Sequence, residues 1–195
     1  MLVSILAHVP LALFPLLQIP QPTRDCQFEI LRPEVIEARA LSRFDANVQA
    51  YVETHRRLAR WMSHDMAVDE GGFFSESLRE SIVAAHPQAR EGGFFTPGVA
   101  HAFRARIDRA LSDVPFLEVP GYHPLAGEQG PIVNQPFPMV LRAVEWPSLV
   151  DELPRLPHEL GYVFWGRDLV LVDLMAHLVV DILPEALPEG PVEAD

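Results

Sequence analysis

The apolar positions of residues 41–62 fall on one stripe. Leu41, Phe44, Val48, Tyr51, His55, Leu58 and Met62 recur in alternating steps of three and four, which keeps their side chains on one face of an α-helix. Ser42 and Asp45 stand at the start of this stretch as a short-armed capping box. Arg56, Arg57 and Arg60 fall mainly off the stripe, toward solvent. Upstream, Pro33 and the EVIEARA that follows read as an earlier turn or an extension of the same helix. A second helix is expected from about Glu76 to His86, capped by Ser75 or Ser77, edged by Leu78 and Ile82 and ended by Pro87. The third opens at Thr96-Pro97. Threonine there accepts free amide hydrogens of the first turn, and proline supplies a preset φ where its missing N–H costs nothing. Ala100, Phe103, Ile107 and Leu111 line its inner side.

Beyond Val114 the helical period disappears. Nine prolines between Pro115 and Pro157 exclude long helices and central strands. Phe116, Ile132, Phe137, Leu141 and Trp146 lie among them, so the segment reads as an irregular, packed covering layer with one short helical turn at 147–153. Near-continuous apolar runs follow. Tyr162–Trp165, Gly166-Arg167-Asp168 and Leu169–Val172 predict a tight β-hairpin, and after a turn at 173–177 a third strand at 178–183. Runs of this kind imply that both faces of the sheet are covered. The fold class is therefore α+β: about three N-terminal helices within 34–112, packed on a C-terminal three-stranded antiparallel meander at 162–183, with a proline-rich irregular connection.

The first twenty residues contain no Asp, Glu or Arg, with His8 their one titratable side chain, and are apolar enough for the core of a secretory signal, although no Arg precedes Arg24 and no Ala-x-Ala site follows. Prolines at 10, 15 and 20 interrupt any spanning helix. The organisation read from the chain is an apolar leader at 1–22, a linker at 23–33, one domain at 34–188 and an acidic tail at 189–195. A periplasmic or secreted protein is expected, with no stable transmembrane segment in its mature form. The formal net charge of −12 repels phosphate backbones, so nucleic acid is not an expected partner. Cys26 stands alone and permits no intrachain disulfide. Its neighbours Pro22, Thr23, Arg24 and Asp25 do not suit a lipoprotein anchor, and its place in the linker does not suit a catalytic thiol.

Candidate chemistry is sparse. His55 sits on the inward stripe, where a buried, hydrogen-bonded histidine is favoured over a ligand or base. His64 is half a turn out of phase with it, and the His64-Asp65 pair suits a helix end. Asp173, His177 and Asp181 form the best metal set by spacing; a turn between them breaks that geometry, and the two aspartates read better as strand-end residues that satisfy turn amides. Asp69-Glu70 and Asp151-Glu152 read as solvated charges. The two GGFF segments, 71–74 and 92–95, suit either a contact patch or plugs that close the ends of a core. No phosphate loop, GxSxG, HExxH or CxxC occurs, so no catalytic, cofactor-binding or metal residue is assigned and no cofactor is expected.

The blocks FDANVQAYVETHRRL, EGGFFTPGVAHAFR and LGYVFWGRDLVLVDLMAHLVVDILPEALP together resemble a group of small, uncharacterised exported bacterial proteins, over about residues 42–188. That resemblance implies a secreted or periplasmic protein and brings no catalytic residues with it. The C-terminal hairpin also resembles the small sheet of periplasmic nickel/cobalt homeostasis proteins. The leading expectation is a non-enzymatic envelope protein that binds a protein partner or small ligand. A periplasmic metal-handling protein comes second. An enzyme whose site joins distant His and Asp/Glu residues in a pocket comes third.

Overall fold

In the computed structural model, which describes residues 32–65, 73–112, 129–137 and 147–188, the first apolar stripe extends well upstream of Ser42. Helix α1 runs Pro33–Asp65, 33 residues, with Glu34 in its first turn. Its start is set by Pro33 at the first helical position, and the Arg32 carbonyl takes the amides of Val35 and Ile36. Ser42 and Asp45 are consequently exposed mid-helix residues and cap nothing. The good helix formers of EVIEARA carry the helix through them. Helix α2 spans Phe73–Ala85, so the expected Ser75 and Ser77 caps also lie inside it. Helix α3, Pro97–Ser112, begins where Thr96-Pro97 places it, with the Thr96 carbonyl accepting the Ala100 amide at 2.8 Å. A single short turn, α4, covers Pro147–Val150.

The sheet is the expected antiparallel meander in the order β1-β2-β3. Its strands are Leu160–Trp165, Asp168–Asp173 and Leu178–Leu183, the first starting two residues before the predicted edge. Trp165 pairs with Asp168 across a two-residue turn. Gly166 takes φ 58° at the first central position, a backbone that suits glycine and matches the twist of the flanking strands.

Both faces are covered. Toward the helices the sheet presents Leu160, Tyr162, Phe164, Leu169, Leu171, Leu178 and Leu183, which join Phe44, Val48, Phe95 and Phe103 in the main core. The Phe103 ring meets those of Phe44 and Phe95 edge-on, with centroids 5.1 and 5.3 Å away. On the opposite face Val163, Trp165, Val170, Val172, Val179 and Ile182 pack under Val133 and Phe137. Residues 134–137 are tied to β3 by the Asn134 amide on the Val179 carbonyl and the Val179 amide on the Gln135 carbonyl. This part of the proline-rich layer does cover the sheet.

Alternation fails once, and usefully. A β-bulge between Leu171 and Val172 sets Leu171 opposite Asp181 but Val172 opposite Val179. Val180 becomes the extra residue, so Val180 and Asp181 both turn toward the helical side. The bulge thereby delivers a carboxylate into the core.

Candidate functional site

Two carboxylates on the sheet are completely buried, Asp173 and Asp181, each at 0% exposure. Burial of a carboxylate demands partners, and both are saturated. Asp181 Oδ1 accepts the amides of Gly92 and Ile182, and Oδ2 those of Phe94 and Phe95, at 2.7–2.9 Å. Burial pushes the Asp181 carboxyl above its ordinary range, while the four amides pull the other way. The second GGFF segment is thus a turn wrapped around a carboxylate, with Gly92 at φ 79°. Its aromatic rings enter the core: Phe95 is buried and Phe94 partly so.

Asp173 gathers donors from two elements. Oδ1 accepts the turn amides of Met175 and Ala176, at 3.1 and 2.8 Å. Oδ2 accepts the Tyr51 hydroxyl at 2.9 Å and faces His55 Nδ1 at 2.6 Å. The stripe of α1 brings Tyr51 and His55 one turn apart onto the same face, and the end of β2 supplies the acid. Burial first, then the charge and hydrogen bond of Asp173, lift the Tyr51 phenol far above its ordinary value, so it serves as a donor. His55 is 2% exposed, in agreement with the expectation of a buried, bonded histidine.

Beside His55 lies a cavity of about 210 Å³ bordered by Arg56, Ala59, Arg60, His158, Glu159 and Met175. Glu159 is buried and accepts hydrogen bonds from Arg56 Nε and Nη2, with His158 at 3.4 Å. Burial raises the Glu159 carboxyl, but the Arg56 hydrogen bond, its own amide and the nearby charges together hold it below the ordinary carboxylate value. Arg56 therefore does more than meet solvent; it neutralises a buried acid. Distant His and acidic residues do converge here, and their polar atoms largely satisfy one another.

A larger groove opens on the other side of Tyr51. It measures about 590 Å³ and runs between α1, the segment after α2 and the first half of β3. Asn47, Tyr51 and Thr54 border it from α1, and His86, Phe94 and Asn134 from the loops. The His86 ring stacks on Tyr51, centroids 5.6 Å apart at 23°. Its backbone is fixed from both sides, the amide on the Ile82 carbonyl and the carbonyl accepting Asn134 Nδ2. Among the described residues, His86 Nε2 is the one buried side-chain polar atom without a hydrogen-bond partner. A buried orphan of this kind is costly unless something pairs with it.

The candidates read from sequence are dispersed. Asp173, the last residue of β2, satisfies turn amides as a strand-end residue should, whereas Asp181 lies inside β3 and binds the amides of Gly92, Phe94, Phe95 and Ile182, because the bulge turns it inward. His177 sits in the β2–β3 turn at φ 49°, where its carbonyl accepts the Phe137 amide. The set Asp173, His177 and Asp181 does not converge, because the bulge and turn send each residue to a different neighbour. Among the described residues no three His, Cys, Asp or Glu side chains are grouped to hold a metal ion. Asp151 and Glu152 are exposed in a turn. Cys26, Asp69-Glu70, the glycines of the first GGFF segment and the leader lie outside the described residues, as do the side chains of His64 and Asp65. No described helix is long and apolar enough to cross a membrane. Compared with protein-family models, curated proteins and solved structures, the chain matches none.

Proposed function

We propose that this chain is a non-enzymatic binding protein and that the groove beside Tyr51 and His86 receives a small ligand. One observation carries the reading: His86, whose ring nitrogen Nε2 is buried without a partner, borders a cleft large enough for a small molecule. Among the described residues no other buried side-chain nitrogen or oxygen lacks a partner, so this one stands out as a place where stability is given up.

His86→Phe tests it. Phenylalanine keeps the stacked ring on Tyr51 and removes the orphan nitrogen, so the free protein should gain about 1 kcal/mol in chemical denaturation. A fragment library screened by NMR should move the His86 and Tyr51 ring resonances of the parent, with weaker binding to the variant. Hits that leave both rings unperturbed, or a variant less stable than the parent, would remove the basis for this assignment.

Export belongs to the same proposal and rests on the apolar leader and on the resemblance to small exported bacterial proteins. The mature amino terminus, measured by mass spectrometry of protein from the native host, should lie near the end of the 1–22 leader. An intact Met1 in cytosolic material contradicts it.

A further inference from the structure

We infer that the groove selects an uncharged ligand: a small molecule with an apolar ring or chain and one neutral hydrogen-bonding group, such as a primary amide or hydroxyl. This rests on the reading of the groove as a binding site. The carrying observation is the lining itself. Among the described residues that border the cleft there is no Asp, Glu or Arg, although charged residues make up 22% of the chain and the sequence contains no lysine. A charged ligand would lose its hydration there and find no counter-charge.

The nearest buried acids offer no substitute. Asp173 is closed off behind the Tyr51 hydroxyl and His55, and Asp181 is enclosed by the amides of Gly92, Phe94, Phe95 and Ile182. Among the described residues a cation therefore meets no available carboxylate, and an anion enters a protein of net charge −12. What the walls do offer is neutral polarity. Asn134 and Asn47 direct their NH₂ groups to the carbonyls of His86 and Gly93, at 3.3 and 3.4 Å, which leaves their carbonyl oxygens as acceptors. The His86 ring, whose Nε2 lies buried behind the wall, borders the cleft, and Tyr51, Phe94 and Ile82 supply apolar surface. A neutral donor group on an apolar body matches that inventory.

Benzamide, benzoate and benzamidine share one shape and differ in charge, so they isolate this point. Titrated into full-length protein and followed at the His86 and Tyr51 ring resonances, benzamide should bind at least tenfold more tightly than either ion. His86→Phe should weaken benzamide about tenfold and leave the two ions unchanged. Equal or tighter binding of benzoate or benzamidine at those rings overturns the charge selection while the groove remains a binding site. If none of the three perturbs the rings, the inference fails; hits from the fragment library at the same rings would then show that the binding reading survives it, and their absence that both fall.

Discussion

Asp181→Asn is expected to cost about 4 kcal/mol of stability, as much as Asp181→Ala. An amide is usually the mild replacement for a carboxylate, but here the geometry forbids it. All four partners of Asp181 are backbone N–H groups, two on each oxygen. Whichever way an asparagine turns, its NH₂ faces two donors that cannot become acceptors. Those amides are held by the bulge and by the Gly92–Phe95 turn, with Phe95 in the core, and have little room to find water. The loss should lower Tm by roughly 10 °C, read by calorimetry on the parent and both variants. An asparagine variant within about 1 kcal/mol of the parent would falsify the account of Asp181 as an organiser of the GGFF turn.

This carboxylate also marks the boundary of what the chain discloses on its own. Local patterns are legible: the three-four stripe finds α1, Thr96-Pro97 finds the start of α3, and Gly166-Arg167 finds the hairpin. Each depends on residues within a turn or two of one another. Caps are less legible, because Ser42 and Ser75 resemble helix starts while upstream residues propagate the helix through them. The bulge that aims Asp181 inward has no local signature, since it is set by the pairing of β3 with β2. Even so, a single aspartate inside the run LVVDIL is the mark of a buried, satisfied acid.

The groove was less visible. His86 precedes Pro87 and reads as the end of a helix, and nothing in its neighbourhood in sequence announces that its ring will lie on Tyr51, which α1 supplies from far upstream. His55 could be placed on the inward face but not given its partner, because Asp173 arrives from the other end of the domain. Glu159 carries no sequence signal at all; it is one acid before a strand, buried only because Arg56 reaches across to it. Sites assembled from single residues on three elements escape a reading based on spacing.

The same substitution at Asp173 should behave differently, and the contrast tests the chemistry rather than the burial, which is 0% at both positions. Asp173→Asn is expected to cost only about 1 kcal/mol, against about 3 kcal/mol for Asp173→Ala. An asparagine keeps one oxygen on the Met175 and Ala176 amides and turns its NH₂ toward Tyr51 and His55. Both of those partners can reverse roles. The phenol oxygen can accept, and a neutral imidazole can move its proton from Nδ1 to Nε2 and accept at Nδ1. Alanine offers neither exchange and leaves two turn amides, a phenol and an imidazole without their acceptor. Nitrogen-15 shifts of the His55 ring should therefore interchange between Nδ1 and Nε2 on going from the parent to Asp173→Asn, while those of His86 stay in place. If the His55 ring keeps its proton on the same nitrogen in both proteins, or if asparagine proves as damaging as alanine, then Asp173 does not hold α1 to the sheet through donors able to switch, and the role assigned to the Tyr51–Asp173–His55 contact is wrong.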